Sequence, residues 1–467
     1  MNKIYKVVWS KAKHAYVVTS EVAKSHTKSA SGKAVKAALA AAVGMGVLMG
    51  GYTANAADTT TGSGSGVAYG TGSDAPKAEN VAIGKGAGIS YSNGASNATG
   101  DIVVGNGANI NNYASQGGSI AIGKNAKVEN MAGGGEASFA FGQTTFSGSW
   151  FSSARIPADP TKVVGSVAIG DNTFARTGST MIGSHNYKGA LGDTTVDSAS
   201  TRTDALNVYA TTIGANSFSN GAFTTSTGVY NIISSEYNGG RLANPVKNLG
   251  ATITGSLNSI ESKTSNNSYA GIANTVTGVA NRTFNSNGSL IYGAGNEITN
   301  SITNISAPSD SGSSAKEFAD KLRTAITGSK SGGATLAIGG GNKADYTQKT
   351  SIIGVNNTVT GTSGSPSTYN SITGYNNTAT NINHVSVIGS SQAGTSTSVK
   401  NAVAIGSEAN VTKEGGVALG AGSVASVDKG VAGYDPGTGT NSTDTSSVWK
   451  STQAAVSVGD TSKGITR

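Results

Sequence analysis

The chain has 467 residues, 67 of them Gly and none Cys, with 12% charged residues and a formal net charge of +8. The lack of Cys excludes a disulfide framework and thiolate-bound zinc. The basic excess does not imply a nucleic-acid surface: residues 1–56 hold eight Lys against one acid, Glu21, and the rest of the chain is close to neutral.

In chain order, the first feature is a leader. Lys33 and Lys36 precede an apolar run over 37–51, which is followed by Ala54-Asn55-Ala56. A basic start, a short apolar core and an Ala-x-Ala site describe a secretory signal peptide, cleaved to leave Ala57 first. The run is too short and too rich in Gly and Ala to span a bilayer as a helix. Ahead of it stand Met1-Asn2-Lys3-Ile4-Tyr5-Lys6-Val7-Val8-Trp9-Ser10 and Tyr16-Val17-Val18-Thr19-Ser20-Glu21. That block closely resembles the extended signal peptide region of Gram-negative autotransporters and two-partner secretion proteins. The resemblance implies a 1–56 leader and export to the cell surface.

Residues 57–79 are Gly, Ser, Thr and Asp without periodicity, expected to form a flexible N-terminal segment. From Val81 a phrase recurs: Val81-Ala82-Ile83-Gly84, Ser119-Ile120-Ala121-Ile122-Gly123, Ser138-Phe139-Ala140-Phe141-Gly142 and Ser166-Val167-Ala168-Ile169-Gly170. It returns as Leu336-Ala337-Ile338-Gly339, Ser351-Ile352-Ile353-Gly354, Val403-Ala404-Ile405-Gly406 and Val417-Ala418-Leu419-Gly420. The closing glycines lie as few as 13 residues apart, from Gly170 to Gly183, and wider gaps keep the phrase. A fixed phrase with variable filler marks a solenoid whose loops tolerate insertion.

Within a phrase, large and small apolar residues alternate, which is the period of a strand, and the Gly ends it with positive φ. A second apolar residue follows a few positions on, at Val128, Phe174, Phe218, Val276, Val359, Val411 or Val424, and reads as a second short strand. The expected fold is all-β, a parallel β-roll over 80–430. An isolated turn buries too little to order itself, so turns must stack on one another and on other chains. The small residues Ala82, Ala121, Ala168, Ala404 and Ala418 are the expected contact strip between protomers, with the large residues inside the roll.

Three insertions interrupt the repeat. They bring Trp150, Phe151 and Arg155; His185, Tyr187 and Arg202; and Tyr230, Tyr237 and Arg241. Ser314-Ala315-Lys316-Glu317, followed by Phe318, Leu322 and Ile326 and closed by Gly328, predicts one short amphipathic helix over 314–327 on the outside of the roll. Residues 431–467 contain Trp449 and end on Gly464-Ile465-Thr466-Arg467.

Chemistry finds no foothold. The mature region has only His185 and His384, far apart in sequence, and no Gly-x-Ser-x-Gly elbow, so no nucleophile–base pair is implied. Gly339-Gly340-Gly341-Asn342 lacks the Asp of calcium-binding nonapeptides, and no metal or other cofactor is expected.

The phrase and leader together resemble the trimeric autotransporter adhesins with a YadA-like head. The resemblance implies a left-handed roll, a homotrimer about one axis, and a neck that 431–467 leads towards. It also implies a coiled-coil stalk and a C-terminal membrane barrel, neither of which occurs within these 467 residues. Two functional readings follow. The first is an adhesin binding a protein or glycan receptor on host or neighbouring-cell surfaces, with Trp150, Phe151, Arg155, Tyr230, Tyr237 and Arg241 as the candidate contacts. The second is a structural spacer or self-associating surface protein with no receptor of its own.

Overall fold

Residues 5–10 and 15–20, and most of 61–459, are described by a computed structural model. The residues left out of that stretch are 92–97, 113–116, 131–138, 141–154, 157–164, 177, 185–206, 220, 236–247, 263–268, 306–314 and 393–395. The leader unit contains an antiparallel hairpin, β1 (Tyr5–Ser10) against β2 (Ala15–Ser20), with Val7 opposite Val18 and Trp9 opposite Tyr16. The cleavage-site residues Ala54, Ala56 and Ala57 lie outside the described residues.

The second unit is a parallel β-roll. Sheet one takes a strand from every recurring phrase but one, and successive strands pair in parallel in chain order from Val67–Tyr69 to Val456–Ser457. The exception is Phe139–Ala140, expected to be a roll strand, which pairs antiparallel with Arg155–Ile156 while Ile120–Ile122 pairs directly with Val167–Ile169. Both ends lie beyond the expected 80–430. Val67–Tyr69, inside the stretch expected to be flexible, pairs with Val81–Ile83 by the same alternation as the other phrases. Sheet two takes the second strand of each turn and runs in two main stretches, from Gly88–Tyr91 to Phe174–Arg176 and from Phe218–Ser219 to Ser396–Thr397. Val128, Phe174, Phe218, Val359, Val411 and Val424 lie on second strands, as expected. Val276 does not: it is the inward residue of a sheet-one strand, and its turn's second strand is Arg282–Phe284.

The interior corrects the expected placement of the small residues. Ala82, Ala121, Ala168, Ala404 and Ala418 are fully buried within the roll itself, so they cannot form a strip between protomers. Their flanking Val and Ile residues face outward. Alternation assigns residues to two faces but does not say which face is inside. That is decided by space between the sheets: in most described turns the inward sheet-one residue faces a buried sheet-two residue seven positions on. Small Ala82 and Ala121 face larger Ile89 and Val128, while the middle turns take Ile253 with Ile260 and Ile291 with Ile298.

Side-chain ladders seal the corners. After the closing glycine of seven turns the third residue is Asn, giving a buried column Asn231, Asn258, Asn281, Asn296, Asn342, Asn357 and Asn377. Each amide nitrogen beyond the first donates to the preceding Asn oxygen, as from Asn296 to Asn281 at 3.0 Å, and to a glycine carbonyl of the following turn, here Gly339 at 2.8 Å. That Asn296 oxygen in turn accepts from the Asn342 backbone N–H and amide. Within the column the buried amides between Asn231 and Asn377 are thereby satisfied by their neighbours above and below. The predicted helix is α1 (Ala315–Gly328); Ser314 of its expected cap lies outside the described residues.

Candidate assembly and adhesive surfaces

The two outer faces of the roll differ in kind. On sheet two, Arg282 sits between glutamates of neighbouring turns, 3.5 Å from Glu261 and 3.0 Å from Glu297, with its guanidinium 4.7 Å from the Phe284 ring centre. This charged, hydrogen-bonded surface suits water. Sheet one instead turns Val and Ile outward over both end sections of the roll. Tyr69, Ile122, Ile213, Ile353, Ile388 and Ile405 stand in one register-aligned column and are exposed. Large aliphatic side chains recurring along one face, broken by Thr373 between Ile353 and Ile388, form an apolar stripe of the kind that marks an interface.

Between Thr225 and Thr277 the same columns carry Thr225, Thr227, Thr252, Thr254, Thr275 and Thr277. In these turns apolar exposure moves to the adjoining corner, where Val229, Tyr230, Leu257 and Val279 lie on successive turns, Leu257 at 60% exposure. Tyr230 holds φ of 56°, and its backbone N–H donates to Ala215 O. Of the six candidate contact residues, it alone is described in full. Trp150, Phe151, Tyr237 and Arg241 lie outside the described residues. Arg155 is placed by its backbone, in a two-residue strand antiparallel to Phe139–Ala140. The structure therefore brings Tyr230 together with Leu257 and Val279, neighbours the sequence reading did not single out. Their signal is positional: each follows a closing glycine by one or two residues.

Of the two histidines of the mature region, His185 lies outside the described residues and His384 has structural surroundings. His384 stacks on Tyr369 with ring centres 5.0 Å apart, and Lys349 Nζ lies 5.5 Å from the Tyr369 ring centre on the preceding turn. These three residues occupy one corner of successive turns, each with positive φ. Buried Asp101 accepts from the Asn112 amide at 2.6 Å and the Ser119 backbone N–H at 2.9 Å. Burial raises its carboxyl pKa against the pull of those two bonds. Among the described residues no cluster of three or more His, Asp or Glu is placed to hold a metal ion. None of their helices is long and apolar enough to cross a membrane, which leaves strand-built barrels unaddressed.

Comparison with known proteins supplies the context. Residues 1–50 match the Extended Signal Peptide of Type V secretion system. A 51-residue stretch is 57% identical to Autotransporter adhesin BadA of Bartonella henselae, covering 11% of this chain and 2% of that much longer protein. Export to the bacterial cell surface follows from the leader. The chain thus carries a leader of the type V secretion kind ahead of a parallel β-roll, and over its 51-residue match it is similar to an autotransporter adhesin.

Proposed function

We propose that the roll is the head of a homotrimeric surface adhesin, with three sheet-one faces packed about a common axis and the corners and insertions turned to a receptor on a host or neighbouring cell. One observation carries this reading: the contrast between the apolar outer face of sheet one and the polar outer face of sheet two. Burying the exposed Ile column would contribute roughly 25 cal/mol for each Å² withdrawn from water, multiplied along the roll. Adhesion by non-covalent contact, and not catalysis, is the role this surface suits. Threefold presentation turns weak contacts at the Val229–Tyr230–Leu257 corner and the 146–160 insertion into avid attachment.

The test uses the secreted chain on whole cells. Tyr230→Ser with Leu257→Ser, and separately a Gly-Ser turn in place of 146–160, should lower attachment to receptor-bearing cells while the mass by light scattering stays that of a trimer. Undiminished attachment by all of these variants would favour the spacer reading, and a stable native monomer would remove the trimer.

A further inference from the structure

The roll has a seam. Its buried apolar residues fall into two clusters, one from Ala75 to Ala210 and the other from Ile233 to Ala425. Between them the inward column of sheet one carries Thr212 and Ser226, which pair in direct register and are fully buried. Thr212 Oγ1 and Ser226 Oγ have no hydrogen-bond partner, nor has Oγ of Ser219, the sheet-two residue that shares a turn with Thr212. Buried hydroxyls without partners weaken the turns that hold them. Among the described residues sheet two has no strand between Phe174–Arg176 and Phe218–Ser219, whereas sheet one passes through from Thr180–Ile182 to Thr211–Ile213 and Thr225–Thr227, and a short parallel ladder joins Asn207–Val208 to Gly221–Ala222.

A strap crosses this seam. Helix α1 is inserted in the chain well beyond the seam, between sheet-one strands Leu290–Ala294 and Leu336–Gly340, yet its buried Phe318 packs 5.3 Å from Phe223. Phe223 stacks on Tyr209 at 5.6 Å with the rings 9° from parallel, and Tyr209 covers Gly178, where an added Cβ would meet its ring at 2.5 Å. Tyr209 and Phe223 both hold positive φ, which sets the rings on one corner of successive turns. The aromatic row thus runs from the edge of the first core, across the unpaired hydroxyls, to a helix rooted in the second.

We propose that the head is two separately opening rolls joined at turns 207–227, and that α1 is the strap that keeps this seam closed. Opening begins at the seam, because its inward residues Thr212, Ser219 and Ser226 bury hydroxyls without partners where the described turns on either side bury apolar side chains. The strap opposes opening by covering the Phe223 and Tyr209 rings.

Native-state hydrogen exchange on the secreted chain tests this. Phe318→Ala should raise exchange at 207–227 at least tenfold, with protection at 102–128 and 291–379 unchanged. Filling the seam with Thr212→Val, Ser219→Ala and Ser226→Ala should slow exchange there and merge two unfolding transitions into one. An even rise in exchange along the whole roll in the Phe318 variant would overturn the proposal. So would a single cooperative transition in the unaltered protein. Should the Phe318 variant fail to fold, the seam-filling variant decides the matter alone: unchanged transitions overturn it and merged ones support it.

Discussion

At the scale of single residues, the roll depends on positions where only one side chain fits. Gly293 holds φ of 137°, and a Cβ there would lie 1.8 Å from the Gly339 carbonyl oxygen of the next turn. Backbone cannot retreat as a side-chain end can, so Gly293→Ala should cost about 2–4 kcal/mol, read as a lowered midpoint in denaturant titration. Asn296 is equally committed, since both ends of its amide are bonded to other turns. Asn296→Ala should leave the Asn342 amide short of an acceptor and cost about 2–3 kcal/mol. Asp101 differs in sign. Burial lifts its folded pKa above the unfolded value, so its contribution is complete below the unfolded pKa and is lost as pH rises through the folded one. Acidification from neutral pH into the ordinary carboxylate range should therefore raise the melting temperature of the native chain relative to Asp101→Asn. A difference that stayed flat or fell on acidification would show that Asp101 does not act in this way.

At the scale of elements, alternation and punctuation were legible in the sequence and facing was not. Val167-Ala168-Ile169-Gly170 reads as a short strand closed by a left-handed glycine, and it is one, with φ of 128° at Gly170. The same four residues are compatible with either face being buried, because a period of two survives inversion. The choice rests on Ala175, seven residues on, and on the turns above and below, which no local window contains. Helix α1 was legible because Phe318, Leu322 and Ile326 recur at helical spacing. Its destination was not, since Phe223 lies 95 residues away in sequence and carries no mark of the contact. The Asn column was visible as an Asn three places after a closing glycine, a pattern concealed by the abundance of Asn throughout the chain. The Tyr230–Leu257 corner shows the same limit: neither residue belongs to the repeated phrase.

At the scale of the whole molecule, the leader and the roll make separate demands. The secreted protein should begin at Ala57, by N-terminal sequencing, and recovery of Tyr5 or Trp9 in it would contradict the leader assignment. Assembly should depend on the outward Ile column. Ile353→Glu with Ile388→Glu changes side chains already exposed in the single chain, so the fold should persist while the light-scattering mass falls from three copies to one. Intact trimers in that double variant would move the interface elsewhere on the roll.

The stacked closing glycines make the roll a ruler that can be recut. Gly339 and Gly354 occupy equivalent places in neighbouring turns, and Asn342 and Asn357 follow them at the same distance. Removing 340–354 would join Gly339 to Val355 and leave Asn357 three places after a glycine, in reach of Asn296. The shortened protein should still be secreted and fold, with its ladder reduced by one strand spacing, about 4.8 Å. Recombination between such repeats could then change how far a cell holds its contacts from its own surface in steps of one strand, without devising a new fold each time.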